Sequence, residues 1–162
     1  MGALRKYRNY LLIIFNVLAL VVLFFHCGAY TINGKTDYYF SGFQIIFGYK
    51  ITDNYDGQVH TLLKFNSIGL MILILQLISF AIPFLKKYLQ EKTLTVFGIV
   101  SVVLAIGYYC LPMTAIHYTK SVYKFFHAQP IIYAGVALLA LSGLIALYLA
   151  KQEKNKAKEA SE

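Results

Sequence analysis

Four stretches of this chain each approach the about 20 residues that an α-helix needs to cross a hydrocarbon core about 30 Å thick, and none holds an Asp, Glu, Lys or Arg. They occupy about 10–26, 65–85, 93–112 and 130–150, the first reading YLLIIFNVLALVVLFF. Only helices and closed barrels satisfy every backbone polar group inside lipid, and runs of this length point to helices. The expected fold class is an all-α membrane protein, a four-transmembrane-helix bundle with a small extracytoplasmic β-hairpin in its long first loop. A 1–150 transmembrane unit would be followed by a charged cytoplasmic tail at 151–162. With 59% hydrophobic and 14% charged residues in 162, the chain has little room for a soluble catalytic domain.

Prolines mark two span ends in this reading. Pro130 suits a first helical turn, where its missing N–H costs nothing. Pro112 is expected to close the third span, because proline disfavours helical geometry in the residue before it. Orientation follows from Lys and Arg, which are retained on the cytoplasmic side. Ten lie at the N-terminus, in the second loop and in the tail, against five on the other side, although the loops there are longer. Both termini are therefore expected in the cytoplasm of a multi-pass cell-membrane protein. The net charge of +8 reads as this bias plus attraction to anionic lipid, and no basic stripe suggests nucleic acid. A basic start and the small residues Cys27, Gly28 and Ala29 resemble a signal peptide. The bulky Phe25 and His26 before them favour a retained first span. Thirteen lysines against two arginines and no Trp point to an AT-rich, bacterial coding sequence.

The outer loop at about 28–64 is far longer than a helix hairpin needs, and such loops are usually functional or ordered. Asn33-Gly34 between two short β-prone runs predicts a type I′ hairpin. Tyr39, Phe43, Ile46 and Phe47 then recur at helical spacing, which suits a piece lying on the membrane surface or packing the ribbon onto the helix tops. Tyr38, Tyr39, Phe43, Phe47 and Tyr49 form a candidate partner surface, since Tyr is enriched at interfaces. Ten of the fourteen tyrosines fall in or beside the outer loops, the headgroup level.

Several chemistries are argued against. The loop TDNYDG (52–57) lacks the acidic first and twelfth positions of a calcium loop. The four histidines lie on the outer side without a metal-ligand spacing, so no metal, cofactor or catalytic residue is assigned. Charge-free spans disfavour coupled transport: the intramembrane Glu of small multidrug transporters is missing, as is the Cys-x-x-Cys of quinone-coupled thiol oxidoreductases. Cys27 and Cys110 each stand 17 residues beyond the inner edge of a parallel span, about 25 Å up, so a disulfide is a possibility beside two buried thiols. Asn16, Gln76, Ser79, Ser101 and Ser142 sit at similar depth and are expected to hydrogen-bond between helices. Small residues at every third position from Ala134 to Ala146, and Gly98, Ser101 and Ala105, suit close packing or a homo-oligomer through the fourth helix.

The topology resembles that of claudin-type tetraspan proteins. The Trp-containing signature and paired loop cysteines of that family are absent, so no residue role carries over. The expected function is a non-enzymatic accessory or interaction subunit whose outer loop binds a membrane or envelope protein. An oligomeric small-molecule transporter or channel, with Asn16 and Gln76 lining its path, is the alternative.

Overall fold

The chain is mostly helical, with two small antiparallel sheets gathered at one end of a helix bundle. The structure is a computed structural model that describes residues 2–32, 35–52, 57, 59–82, 90–118 and 126–159. Its elements in order are α1 (Gly2–Val22), β1 (His26–Ile32), β2 (Lys35–Ser41), α2 (Gly42–Phe47), β3 (Tyr49–Thr52), β4 (Val59–Leu63), α3 (Ser67–Ala81), α4 (Gln90–Tyr118), β5 (Phe126–Ala128) and α5 (Pro130–Glu159).

Two helices are long and apolar enough to cross a membrane: Lys92–Ala115 within α4, and α5. The apolar parts of α1 (Tyr10–Val22) and of α3 are shorter, in the range of 10–17 residues. The first span ends before Phe25 because the helix tightens at its exit. Leu23, Phe24 and Phe25 donate to the carbonyls three residues back, at 3.0, 3.0 and 3.1 Å, and the chain then leaves as strand β1. Asn66 starts α3 as its N-cap, its side chain accepting from the Gly69 N–H.

Pro112 does not close the third span; α4 runs through it to Tyr118. Proline is tolerated inside helices that pack in a bundle, where neighbouring helices offset the one lost backbone bond, here that to the Tyr108 carbonyl. Pro130 does open α5. α5 continues into the charged segment from 151 as far as Glu159, on good helix formers such as Lys, Gln, Glu and Ala.

β1 pairs with β2, Ile32 opposite Lys35, so Asn33 and Gly34 make the connection; their expected type I′ turn lies outside the described residues. Two features go beyond the expected hairpin. β5, from the connection between α4 and α5, adds to the free side of β1 and gives the order β2-β1-β5. β3 and β4 form a second ribbon. Gly28 in β1 accepts the Phe126 ring so closely that an added Cβ would lie 2.4 Å from it. The TDNYDG loop joins β3 to β4, but all of it except Thr52 and Gly57 lies outside the described residues.

The core runs from the sheet into the bundle. Phe40, Ile45, Ile46 and Phe126 of the outer layer pack with Leu23, Tyr108, Leu111 and Ile132 of the helices. A second cluster closes the opposite end, joining Leu12 of α1, Ile82 after α3, Leu94 and Phe97 of α4, and Ala146 and Ala150 of α5. α4 and α5 make the closest pair, through Gly98 and Gly143. The buried face of α5 follows Ile132, Gly135, Leu139, Ser142, Gly143, Ala146 and Ala150, whereas Ala134 and Ala137 are exposed. A strict every-third stripe drifts around a helix of 3.6 residues per turn, so it does not track one packing face.

Candidate functional site

Two regions hold the residues singled out by the sequence: a polar layer inside the bundle and the aromatic outer layer. In the bundle, Asn16, Gln76, Ser79, Ser101 and Ser142 are all fully buried. Asn16 of α1 is the hub. Its Nδ2 donates to the Leu12 carbonyl and to Ser142 Oγ of α5, both at 3.3 Å. Its Oδ1 accepts from Gln76 Nε2 at 3.2 Å and Ser79 Oγ at 3.0 Å, both of α3. Gln76 Nε2 also reaches the Asn16 carbonyl at 3.0 Å, and the single Ser79 hydroxyl proton is shared between Asn16 Oδ1 and the Gln76 carbonyl at 2.6 Å. Every donor and acceptor position of the Asn16 amide is thus engaged.

Ser101 of α4 is at the same level, beside the contact of Val102 with Gly143, but it joins no bond of the network. Its Oγ, Gln76 Oε1 and the Tyr108 hydroxyl are buried without a hydrogen-bond partner among the described residues. The layer contains amides and hydroxyls only. It can lock helices together or hold a polar molecule, and it supplies no acid, base or activated nucleophile.

The outer layer is positioned by three local devices. Ser41 and Gln44 form a capping box at the start of α2: Gln44 N–H donates to Ser41 Oγ at 3.2 Å, and Ser41 N–H to Gln44 Oε1 at 2.8 Å. Gly42 sits where a Cβ would press 2.5 Å from Leu23, so α2 seats directly on the end of α1, and the Phe43 N–H donates to the Leu23 carbonyl at 3.3 Å. Asn66, fully buried, donates to Thr114 Oγ1 on α4 at 2.7 Å while its own N–H bonds the Ile46 carbonyl at 2.8 Å. That residue pins α2, α3 and α4 together. Sequence reasoning missed it, although Asn before a glycine-containing apolar run is an N-cap signal.

On this frame Tyr38, Tyr39 and Phe47 are exposed, while Phe43 and Tyr49 are half-buried. Tyr38 stacks with Tyr30 and Tyr39 lies against His26, ring centroids 6.2 and 5.2 Å apart. Phe43 bridges Phe24 and Phe47 at 4.7 and 6.4 Å, and Tyr49 meets Phe40 edge-on. Of the two roles expected of the aromatic piece, packing onto the helix ends is seen for Ile46, which is buried, while Phe47 points outward.

Cys27 and Cys110 are separate free thiols. The depth argument for a bridge assumed helix as far as Cys27, but α1 stops at Val22 and Cys27 belongs to β1. Cys27 Sγ donates to the Val22 carbonyl at 3.3 Å. Burial pushes its thiol from an ordinary 9.0 up to about 11, against a smaller lowering by the Gly42 backbone N–H. The folded state therefore favours the neutral thiol. The resulting stability is complete below pH 9 and is lost as the pH rises through about 11. Maleimide titration of unreduced, SDS-unfolded protein should count two thiols. In the folded protein Cys27, fully buried and held neutral, should resist the same reagent; labelling as fast as in SDS would contradict its burial.

His127, exposed on β5, lies 3.3 Å from Thr31 Oγ1 and 3.1 Å from Gln129 Nε2. His26 is also exposed, and the side chains of His60 and His117 lie outside the described residues. Among the described residues no group of three or more His, Cys, Asp or Glu side chains comes together. No protein-family model matches the chain, and no curated protein matches it in sequence.

Proposed function

We propose that the chain is a four-span integral membrane protein with both termini in the cytoplasm, acting as a non-enzymatic accessory subunit whose outer layer binds a membrane or envelope protein. The observation that carries the membrane reading is an inverted partition. Polar Asn16, Gln76, Ser79, Ser101 and Ser142 are buried, whereas Met71, Leu77, Ile106 and Leu144 are exposed. Water would penalise both halves of that arrangement; lipid favours it. Less than half of each long apolar window is buried, 44% and 33%, unlike the core helix of a soluble protein. On this reading α1 and α3 complete the spans despite their shorter apolar parts, packing against α5 and α4.

The partner reading rests on the construction of the outer layer. Two loops are joined in one sheet and clamped to the bundle by Phe40, Ile46 and Phe126, yet Tyr38, Tyr39 and Phe47 are left outside. Rigid exposed aromatics are what interfaces enrich. A photo-reactive amino acid at Tyr39 or Phe47 should give a discrete protein adduct in intact cells, and one at lipid-facing Leu144 should not. Equal adducts at all three positions, or none, would remove the reading.

One observation favours the transport alternative: the unpartnered Gln76 Oε1 and Ser101 Oγ in the polar layer. Solute flux in liposomes that is abolished by Gln76→Leu would establish it, and unchanged flux would discard it.

A further inference from the structure

We propose that the inner end of the bundle carries a site for the phosphate of an anionic phospholipid, formed by Lys92 of α4 with Lys151 and Lys154 of α5. The inference rests on the four-span reading for its membrane and is independent of the outer partner. It begins with length. At 1.5 Å per residue the 30 residues of α5 rise about 45 Å, well beyond a hydrocarbon core of about 30 Å, so its last turns project as a continuous helix. The cluster of Leu12, Ile82, Leu94, Phe97, Ala146 and Ala150 brings all four helices together at this end and marks the limit of the apolar core.

Tyr10 and Tyr148 are exposed at the edge of this cluster, and Gln152 Nε2 donates to the Tyr148 hydroxyl at 2.8 Å. Amphipathic rings take up the headgroup level in this way. The antiparallel register that sets Gly98 against Leu147 and Val102 against Gly143 carries Lys92 level with Glu153, between Lys151 and Lys154. All three lysines are exposed, so their ammonium groups can extend from the apolar boundary into the headgroups. Glu153, half-buried on the bundle side, offsets one positive charge and leaves an excess of two on this edge. A phosphodiester is the anion that membranes present at this depth, and basic clusters next to a span attract it.

The test uses full-length protein in nanodiscs of phosphatidylcholine with one-fifth phosphatidylglycerol, read by native mass spectrometry. Wild type should retain phosphatidylglycerol over phosphatidylcholine. The variant Lys92→Gln/Lys151→Gln/Lys154→Gln should lose retention by about fivefold or more. The corresponding triple Arg variant should keep it, as should Lys50→Gln/Lys64→Gln on the opposite side. Equal retention of the two lipids by wild type, or equal loss in both Gln variants, would overturn the site. Alkaline extraction of membranes separates the failures: release of the protein would defeat the four-span reading itself, whereas firm insertion without lipid preference would defeat the lipid site alone.

Discussion

Asn16→Leu is expected to be the most destabilising conservative-volume substitution in the chain. It removes the hub that accepts from Gln76 and Ser79 and donates to Ser142. All three partners stay fully buried: Ser142 loses its bond to residue 16 and Gln76 one of its two N–H partners, while Gln76 keeps the residue-16 carbonyl and Ser79 the Gln76 carbonyl. Interhelical hydrogen bonds in membranes are modest, averaging about 0.6 kcal/mol. Losing the three side-chain bonds at once, with Ser142 left unmatched, should cost about 1.5–3 kcal/mol. Unfolding in mixed micelles measures this directly. Asn16→Gln, which keeps an amide but shifts it by one methylene, should recover only part. A loss below about 0.5 kcal/mol for the Leu variant would mean that the layer is ornamental to the bundle.

Gly143→Ile is the second large effect, and it acts through space instead of polarity. An added Cβ at this position would lie 2.8 Å from Val102 Cγ2, 2.9 Å from the Gly98 carbonyl oxygen and 3.2 Å from the Val102 N–H. Two of these neighbours are backbone, which cannot rotate aside, so α4 and α5 must separate. Overpacking a tight contact typically costs about 1–3 kcal/mol, and a branched side chain between two backbones belongs at the upper end. Reduced thermal stability in detergent is the expected readout. Ala137→Ile, on the exposed side of the same helix, should be nearly neutral. If the two variants behaved alike, the close approach of α4 and α5 would be in doubt. A fall in solubilised mass for Ala137→Ile alone would point to a self-association face there.

The helical runs were legible because lipid-length apolar segments have few other uses. Their ends were harder. YLLIIFNVLALVVLFF gives no internal reason to stop at Val22; the helix yields there because β1 finds partners on both sides, β2 next to it in sequence and β5 nearly a hundred residues on. Pro112 reads as a terminator by local rules, yet α4 passes through it, since what a proline costs depends on neighbours no sequence window contains. Ser41-Gly42-Phe43-Gln44 was readable as a capping box. β5 was not: three residues of Phe-His-Ala carry no strand signal, and only pairing with Gly28, Ala29 and Tyr30 makes them one.

At the candidate site, the depths of Asn16, Gln76, Ser79 and Ser142 could be counted along each helix. That Asn16 alone would meet the other three depends on rotation about the helix axes, which counting does not give. Asn66 shows the same limit. Its N-cap role is local, whereas its bond to Thr114 depends on how α3 and α4 lie together.

The short strand β5 has a mechanical implication. It leads through Gln129 into α5 and is bonded to the strand that leaves α1, with the Gln129 N–H on the Cys27 carbonyl at 2.9 Å. The first and last helices are thereby latched at one end, so neither can piston along its axis against the other without tearing the latch. Any working stroke this protein makes must come from α3 or α4, or from a tilt of the bundle as a unit.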